Sequence, residues 1–198
     1  MVHAADAPIS TYILATGNEN KWREAQRILS SLGSSIALVR QNVDLPELQA
    51  ATTQQVAIEK VRVAFDSVRA PVIVEDTGFE IEALGGFPGP FIKFWERLGG
   101  LASICRAVDG TANRNATAVC VLGVCIRDGT ASAIEGRIDG TIAAEPAGAH
   151  GFGWDAIFIP RGESRTFAEM TNEEKDRISH RRLAWEILNA RMAPSTVV

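Results

Sequence analysis

The chain has 198 residues, 46% hydrophobic and 22% charged, enough to bury the core of one globular domain. No apolar run approaches the roughly 20 residues that cross a bilayer, and the segment Met1 to Ala7 lacks the basic start and long apolar stretch of a secretory signal, so neither a membrane protein nor a secreted one is expected. A net charge of −4 excludes a broad nucleic-acid-binding surface, and three cysteines with no C-x-x-C pair exclude a disulfide scaffold or a structural zinc site.

In chain order, Ile9 to Ala15 is a β-prone run that ends in Thr16-Gly17-Asn18. The spacing of Trp22, Ala25, Ile28, Leu29 and Leu32 predicts a helix, with Asn18 as its N-cap and Gly33 at its stop. A short strand, Ile36 to Val39, leads into the loop Asp44 to Gln49. The capping box Thr52-x-x-Gln55 opens a second helix, predicted to run to about Val68 with Val61, Ala64, Phe65 and Val68 as its apolar face. Pro71 to Val74 is unbroken apolar sequence too short for a helix, so it reads as a strand buried on both faces and ending abruptly at Glu75-Asp76-Thr77-Gly78. Ala116 to Ile126, the turn Arg127 to Thr130 and Ala131 to Ala143 read as a long hairpin, with a further strand at Ala156 to Ile159. The last element is a single helix from Thr171-x-x-Glu174 to about Met192, with Trp185, Leu188 and Met192 inward. Early alternation of helix and strand with a late hairpin predicts an α/β fold with a mixed, strongly twisted sheet, a single domain over residues 1–198 with loose termini at 1–8 and 193–198. Cys105, Cys120 and Cys125 are expected as buried thiols of a cytoplasmic protein.

Five segments carry candidate chemistry. Thr16, Gly17, Asn18, Glu19, Asn20 and Lys21 deliver a hydroxyl, a glycine and an amide to a helix N-terminus with a lysine just inside, a natural anion site that matches neither standard nucleotide fingerprint. Alone, the segment reads equally as a plain N-capped turn. Glu75 and Asp76 put two acids at a strand end, where α/β sheets gather ligands; hard carboxylate oxygens suit Mg²⁺. Adjacent strand residues face opposite ways, so the two acids share one role only if the chain turns there, as Gly78 would allow. Glu47 is a further candidate acid.

Leu84-Gly85-Gly86-Phe87-Pro88-Gly89-Pro90 implies a shaped loop, followed by Lys93 at a helix start. In Phe152-Gly153-Trp154-Asp155 small residues flank aromatics, so a flat ring could stack on Phe152 or Trp154. Lys175, Ser179 and Arg182 fall at i, i+4 and i+7 of the last helix, with His180 and Arg181 turned toward neighbouring faces; this cluster reads as a solvated face or as donors to a base or phosphate.

Together, TGNENK at Thr16 to Lys21, DLPELQ at Asp44 to Gln49, VIVEDTG at Val72 to Gly78, LGGFPGPFIKF at Leu84 to Phe94, FGWD at Phe152 to Asp155 and EKDRISHRR at Glu174 to Arg182 resemble the inosine triphosphate pyrophosphatase family. The resemblance spans about residues 10 to 192, and Thr77 with Gly89-Pro90-Phe91-Ile92-Lys93 is similar to the eukaryotic branch. It implies an elongated central sheet with two lobes around a cleft, a homodimer, and Mg²⁺ as cofactor, with Mn²⁺ as a possible substitute. It implies that Thr16 to Lys21, aided by Lys60 and Lys93, bind a triphosphate, and that Thr77 touches phosphate. By the same resemblance Glu47 and Asp76 hold the metal with Glu75 close by, Phe152 to Asp155 hold the base, and Lys175, His180 and Arg181 complete the pocket. Asp76 and Lys21 are the expected catalytic residues. The implied activity is hydrolysis of non-standard purine nucleoside triphosphates (ITP, dITP, XTP) to monophosphate and pyrophosphate. A related pyrophosphatase for modified or pyrimidine nucleotides and a non-catalytic nucleotide sensor are the alternatives.

Overall fold

A computed structural model of the chain describes residues 11–46, 48–126 and 128–192. The expectations of loose ends at 1–8 and 193–198, and of Arg127 in the hairpin turn, fall outside these residues. The strands are β1 (Thr11–Ala15), β2 (Ala37–Gln41), β3 (Val72–Ile81), β4 (Pro88–Gly89), β5 (Asn115–Cys125), β6 (Ala131–Ile142) and β7 (Phe158–Pro160). The α-helices are α1 (Glu19–Ser31), α2 (Thr53–Val68), α3 (Ile92–Gly99), α4 (Leu101–Arg106), α5 (Asn172–Ile178) and α6 (His180–Met192). The strands form one mixed sheet in the order β2-β1-β3-β5-β6-β7, with β4 also paired to β3. β2, β1 and β3 run parallel; β3, β5, β6 and β7 alternate in direction.

The alternation of side chains along β3 divides the protein. Ile73 joins Tyr12, Leu14, Leu122, Trp185 and Leu188 under α1 and α6. Val72 and Val74 face the other way, against Val61 and Ala64 of α2. Further along the same strand, Phe79 and Ile81 enter a separate core with Ile92, Ile104, Trp154, Phe158 and Phe167. β3 and β5 thus thread two lobes, each with its own apolar core, and the sheet is elongated because strands of 10 and 11 residues serve both.

Three expected boundaries differ. First, β3 does not stop at Glu75 but runs straight to Ile81. Gly78 makes no turn: a Cβ there would sit 2.3 Å from the Thr53 hydroxyl at the start of α2, so the glycine is needed for close approach. Second, residues 153–157 form a 3₁₀ turn, and only Phe158–Pro160 pair as a strand. Apolar residues here are buried because the turn drops into the second core, not because they lie in a sheet. Third, the C-terminal helix is two helices. Ser179 is extended, with ψ 156, and its hydroxyl accepts the Arg182 N–H, so it caps α6 and redirects the chain. The i, i+4, i+7 face through Lys175, Ser179 and Arg182 therefore does not exist.

α6 lies unusually close to the sheet. A Cβ on Gly136 of β6 would meet the His180 carbonyl oxygen at 2.2 Å, so this glycine brings the start of α6 against the strand. The three cysteines are buried and free, as expected.

Candidate active site

Between the lobes lies an open cleft of about 910 Å³. The first wall is the β1–α1 junction. The Asn18 side chain accepts the N–H groups of Asn20 and Lys21 at 2.9 and 3.2 Å, and its own N–H donates to the Thr16 hydroxyl at 3.1 Å. Arg40 of β2 donates to the carbonyl oxygens of Thr16 and Gly17, fixing the loop from outside. Thr16, Gly17, Asn18, Asn20 and Lys21 line the cleft, whereas Glu19 is exposed and pairs with Arg23.

β3 supplies the acids. Glu75 faces α1 and α6 and is buried at 3%; Asp76 faces α2, where Lys60 Nζ lies 3.3 Å from its Oδ1. Alternation along an uninterrupted strand thus separates the two carboxylates, yet both, with Thr77, line the cleft. Lys93 at the start of α3 lines it from the second lobe. The chain contains only four lysines. Lys21, Lys60 and Lys93 line this one cleft, and Lys175 is buried behind it.

Behind the cleft, charges that sequence spacing could not pair form a continuous buried network. Arg181 donates from Nε and Nη2 to the Glu75 carboxylate at 2.9 and 2.8 Å and from Nη1 to Glu24. Lys175 donates to Glu24 at 2.7 Å and to Asp155 at 2.6 Å, and Lys21 lies 3.4 Å from Glu75. Burial pushes the Glu24 and Glu75 carboxyls up, but the neighbouring cations outweigh it: Arg181 and Lys175 hold Glu24 below its ordinary range, and Arg181 and Lys21 hold Glu75 there. For Asp155 burial wins over Lys175, and its carboxyl is raised. Glu24 was not singled out from sequence; a carboxylate at an otherwise core-facing position of α1, beside Ala25 and Ile28, was the available signal.

The remaining wall is aromatic. Phe152, half-buried, has Lys175 Nζ and Arg181 Cζ over its ring at 4.9 and 5.4 Å. Gly153, Trp154 and Asp155 follow in the 3₁₀ turn, with the Asp155 carboxylate accepting the Phe152 N–H at 2.8 Å. Trp154 also packs on Phe79 and on His180, at centroid distances of 4.9 and 5.1 Å. His180 is 1% exposed, and neither ring nitrogen has a hydrogen-bond partner among the described residues. Burial, then Arg181, Lys175 and Lys21, pull its basicity well below the ordinary value, so the imidazole is neutral. Lys175 does not line the cleft; it lies buried behind it, against Phe152, Phe167, Glu24 and Asp155. Glu47 lies outside the described residues.

A capped strand–helix junction, three lysines, two acids and an aromatic wall thus surround one open cleft. The Ham1 family model matches residues 12–191. The chain belongs to the Ham1 family. Among its relatives, a dITP/XTP pyrophosphatase of Methanopyrus kandleri is 44% identical over 174 residues, 88% of this chain and 92% of that protein. Inosine triphosphate pyrophosphatase 1 of Trypanosoma cruzi is 42% identical over 179 residues, 89% of each. The solved structure of a HAM1 protein from Coxiella burnetii superposes with a TM-score of 0.81 at 30% identity, covering 93% of this chain and 98% of that one. The elongated mixed sheet is thus a Ham1 fold, and residues of the segments from Thr16 to Arg181 quoted above meet in the cleft between its lobes.

Proposed function

We propose that this Ham1 chain hydrolyses the non-standard purine nucleoside triphosphates ITP, dITP and XTP to the nucleoside monophosphate and pyrophosphate. The observation that carries the reading is the composition of the cleft: three of the four lysines, Asp76, an aromatic wall and the buried side chains of His180 and Arg181 all line it. Relatives named for this activity at 42–44% identity support it.

In this reading Thr16, Gly17, Asn18 and Asn20, with Lys21, Lys60 and Lys93, hold the triphosphate, and Glu19, outside the cleft, takes no part. Lysine charge offsets the negative charge that grows on the departing pyrophosphate, where preorganised electrostatics contribute most. Asp76 orients the water that attacks the α-phosphorus and accepts its proton. The base lies against Phe152. Arg181 carries five N–H donors, and Glu75 and Glu24 engage three of them, leaving two. Donor-only groups pair with O6 of hypoxanthine or xanthine and meet the amino group of adenine unfavourably. A neutral His180, whose two ring nitrogens lack partners among the described residues, can donate one further hydrogen bond to O6.

Mg²⁺ belongs to the same proposal, with Mn²⁺ as substitute. Asp76 lines the cleft and is only partly buried beside Lys60, a hard oxygen donor of the kind taken by an ion that keeps several waters and shares phosphate oxygens. Glu75 already faces two cations, so Asp76, with Glu47, would hold the ion, and Glu75 would position Lys21 and Arg181. Bound there, Mg²⁺ would polarise phosphoryl oxygens and neutralise their charge. Among the described residues no helix is long and apolar enough to cross a membrane; a cytoplasmic location and a homodimer complete the proposal, the latter checked by sedimentation velocity.

The test is pyrophosphate release from ITP, dITP, XTP, ATP and GTP, with and without Mg²⁺. We expect kcat/KM for ITP and XTP to exceed that for ATP by at least about 100-fold, the scale reached when a mismatched base leaves buried polar groups unpaired. Equal values across all five would overturn the base specificity. Absence of Mg²⁺-dependent release from any of them would overturn the hydrolase reading.

A further inference from the structure

Glu96 has no place in the machinery described above, yet it lines the same cleft. It lies on α3 three residues after Lys93, hence on the same helix face one turn on. Its Oε2 is 3.5 Å from where a Cβ of Gly153 would stand, so it reaches across to the turn that follows Phe152. The side chain is half-buried, and no described residue pairs with it through an ion pair or hydrogen bond, although a carboxylate so placed needs donors. Burial, and then the like charge of Asp155, push its carboxyl above the ordinary range, as expected of an acid short of partners.

We infer that Glu96 is a specificity-determining residue that accepts a hydrogen bond from a ribose hydroxyl of the bound nucleotide, a proposal that rests on the function proposed above. Position and chemistry both lead there. Along α3, Glu96 sits between Lys93, assigned to the phosphates, and Gly153, beside the ring assigned to the base; in a nucleoside triphosphate the sugar lies between those two parts. An ionised carboxylate only accepts hydrogen bonds, and ribose hydroxyls are donors. The same pairing of an acidic side chain with ribose hydroxyls recurs in dinucleotide-binding folds. The base edge is the poorer match, since N1–H is its one donor there and the adjacent O6, itself an acceptor, would be repelled.

The experiment crosses two variants with three substrates. Steady-state pyrophosphate release is measured for wild type, Glu96→Gln and Glu96→Ala on ITP, dITP and 2′,3′-dideoxy-ITP. With ITP we expect Glu96→Ala to lower kcat/KM about 10- to 100-fold, the range for a lost hydrogen bond to a charged group, mostly through KM. With the dideoxy substrate the loss shrinks to about twofold, because the partner is already gone. The isosteric Glu96→Gln, whose amide oxygen still accepts, falls between the two. The dITP result locates the contact: a loss like that for ITP assigns the 3′-hydroxyl, and a loss like that for the dideoxy substrate assigns the 2′-hydroxyl. Equal losses on all three substrates, or no loss on ITP, would overturn the inference. If wild type releases no pyrophosphate from any of the three, the proposed function fails instead, and the two failures are distinct.

Discussion

Replacing Arg181 by methionine tests the buried charge network directly. The guanidinium is 1% exposed and donates three hydrogen bonds, two to Glu75 and one to Glu24. Removing one partner of a buried ion pair costs about 3–5 kcal/mol, because the other charge is left without compensation. Two stranded carboxylates would argue for the upper end. However, Lys21 still lies 3.4 Å from Glu75 and Lys175 2.7 Å from Glu24, so the lower end, about 3 kcal/mol, is expected. For a chain of this length that corresponds to a drop in Tm of roughly 6–12 °C. The loss must also depend on pH, and its sign follows from the carboxyls. In the wild type, cations depress both glutamates, so their contribution persists above the ordinary glutamate value of 4.5 and disappears as pH falls through the depressed values. In the variant each carboxyl loses Arg181, the strongest influence opposing its burial, and rises from its wild-type value; the desolvation cost that Lys21 and Lys175 leave uncompensated is felt at neutral pH and relieved as the carboxyls protonate. The gap between the two proteins should therefore narrow on acidification. Urea unfolding followed by tryptophan fluorescence at about pH 7.5 and about pH 5 measures it. A loss under about 1 kcal/mol, or one equal at both pH values, would show that the network does not hold these charges as described.

Asp76→Asn should lower kcat by about 100-fold or more, the scale of losing a general base or metal ligand. Its stability should change by less than about 1 kcal/mol, because its pairing with Lys60 is partly solvated; turnover near wild type would remove Asp76 from the mechanism. Gly136→Ala should destabilise by about 2 kcal/mol or more, because the new methyl meets backbone atoms of His180 and Ala184. The same variant should raise KM for ITP, since α6 carries His180 and Arg181; an unchanged melting curve would mean that α6 yields freely. Asn18→Ala should cost about 1 kcal/mol through loss of the α1 cap. Asn18→Asp should keep that stability yet raise KM for the triphosphate, because the cap would then oppose phosphate charge; equal KM values for both would separate Asn18 from the phosphate site.

Signals carried within a few residues were legible in the sequence. Asn18, Thr52 and Thr171 cap helices where they were expected, because a cap is a contact between a side chain and an N–H two or three residues on. The β5–β6 hairpin followed from alternation and a turn, and the apolar run of β3 from its composition. The six motifs that carry the family resemblance are likewise short and local. What the sequence left open depends on neighbours far along the chain. Gly78 favours a turn on local grounds, but Thr53 of α2 makes it a point of close approach within a straight strand. Ser179 is acceptable inside a helix, yet tertiary packing of α6 on Gly136 accompanies its role as a cap. Glu75, Asp155, Lys175 and Arg181 each read as surface charges or isolated site residues, and Glu24 carried no reading at all; only folding, which brings positions up to 157 apart into contact, lets them neutralise one another out of water. Local sequence therefore determined the elements and the chemistry available to them. The tertiary structure decided which charges are buried together and which face the cleft, because the cost of burying a charge depends on partners that no local stretch contains.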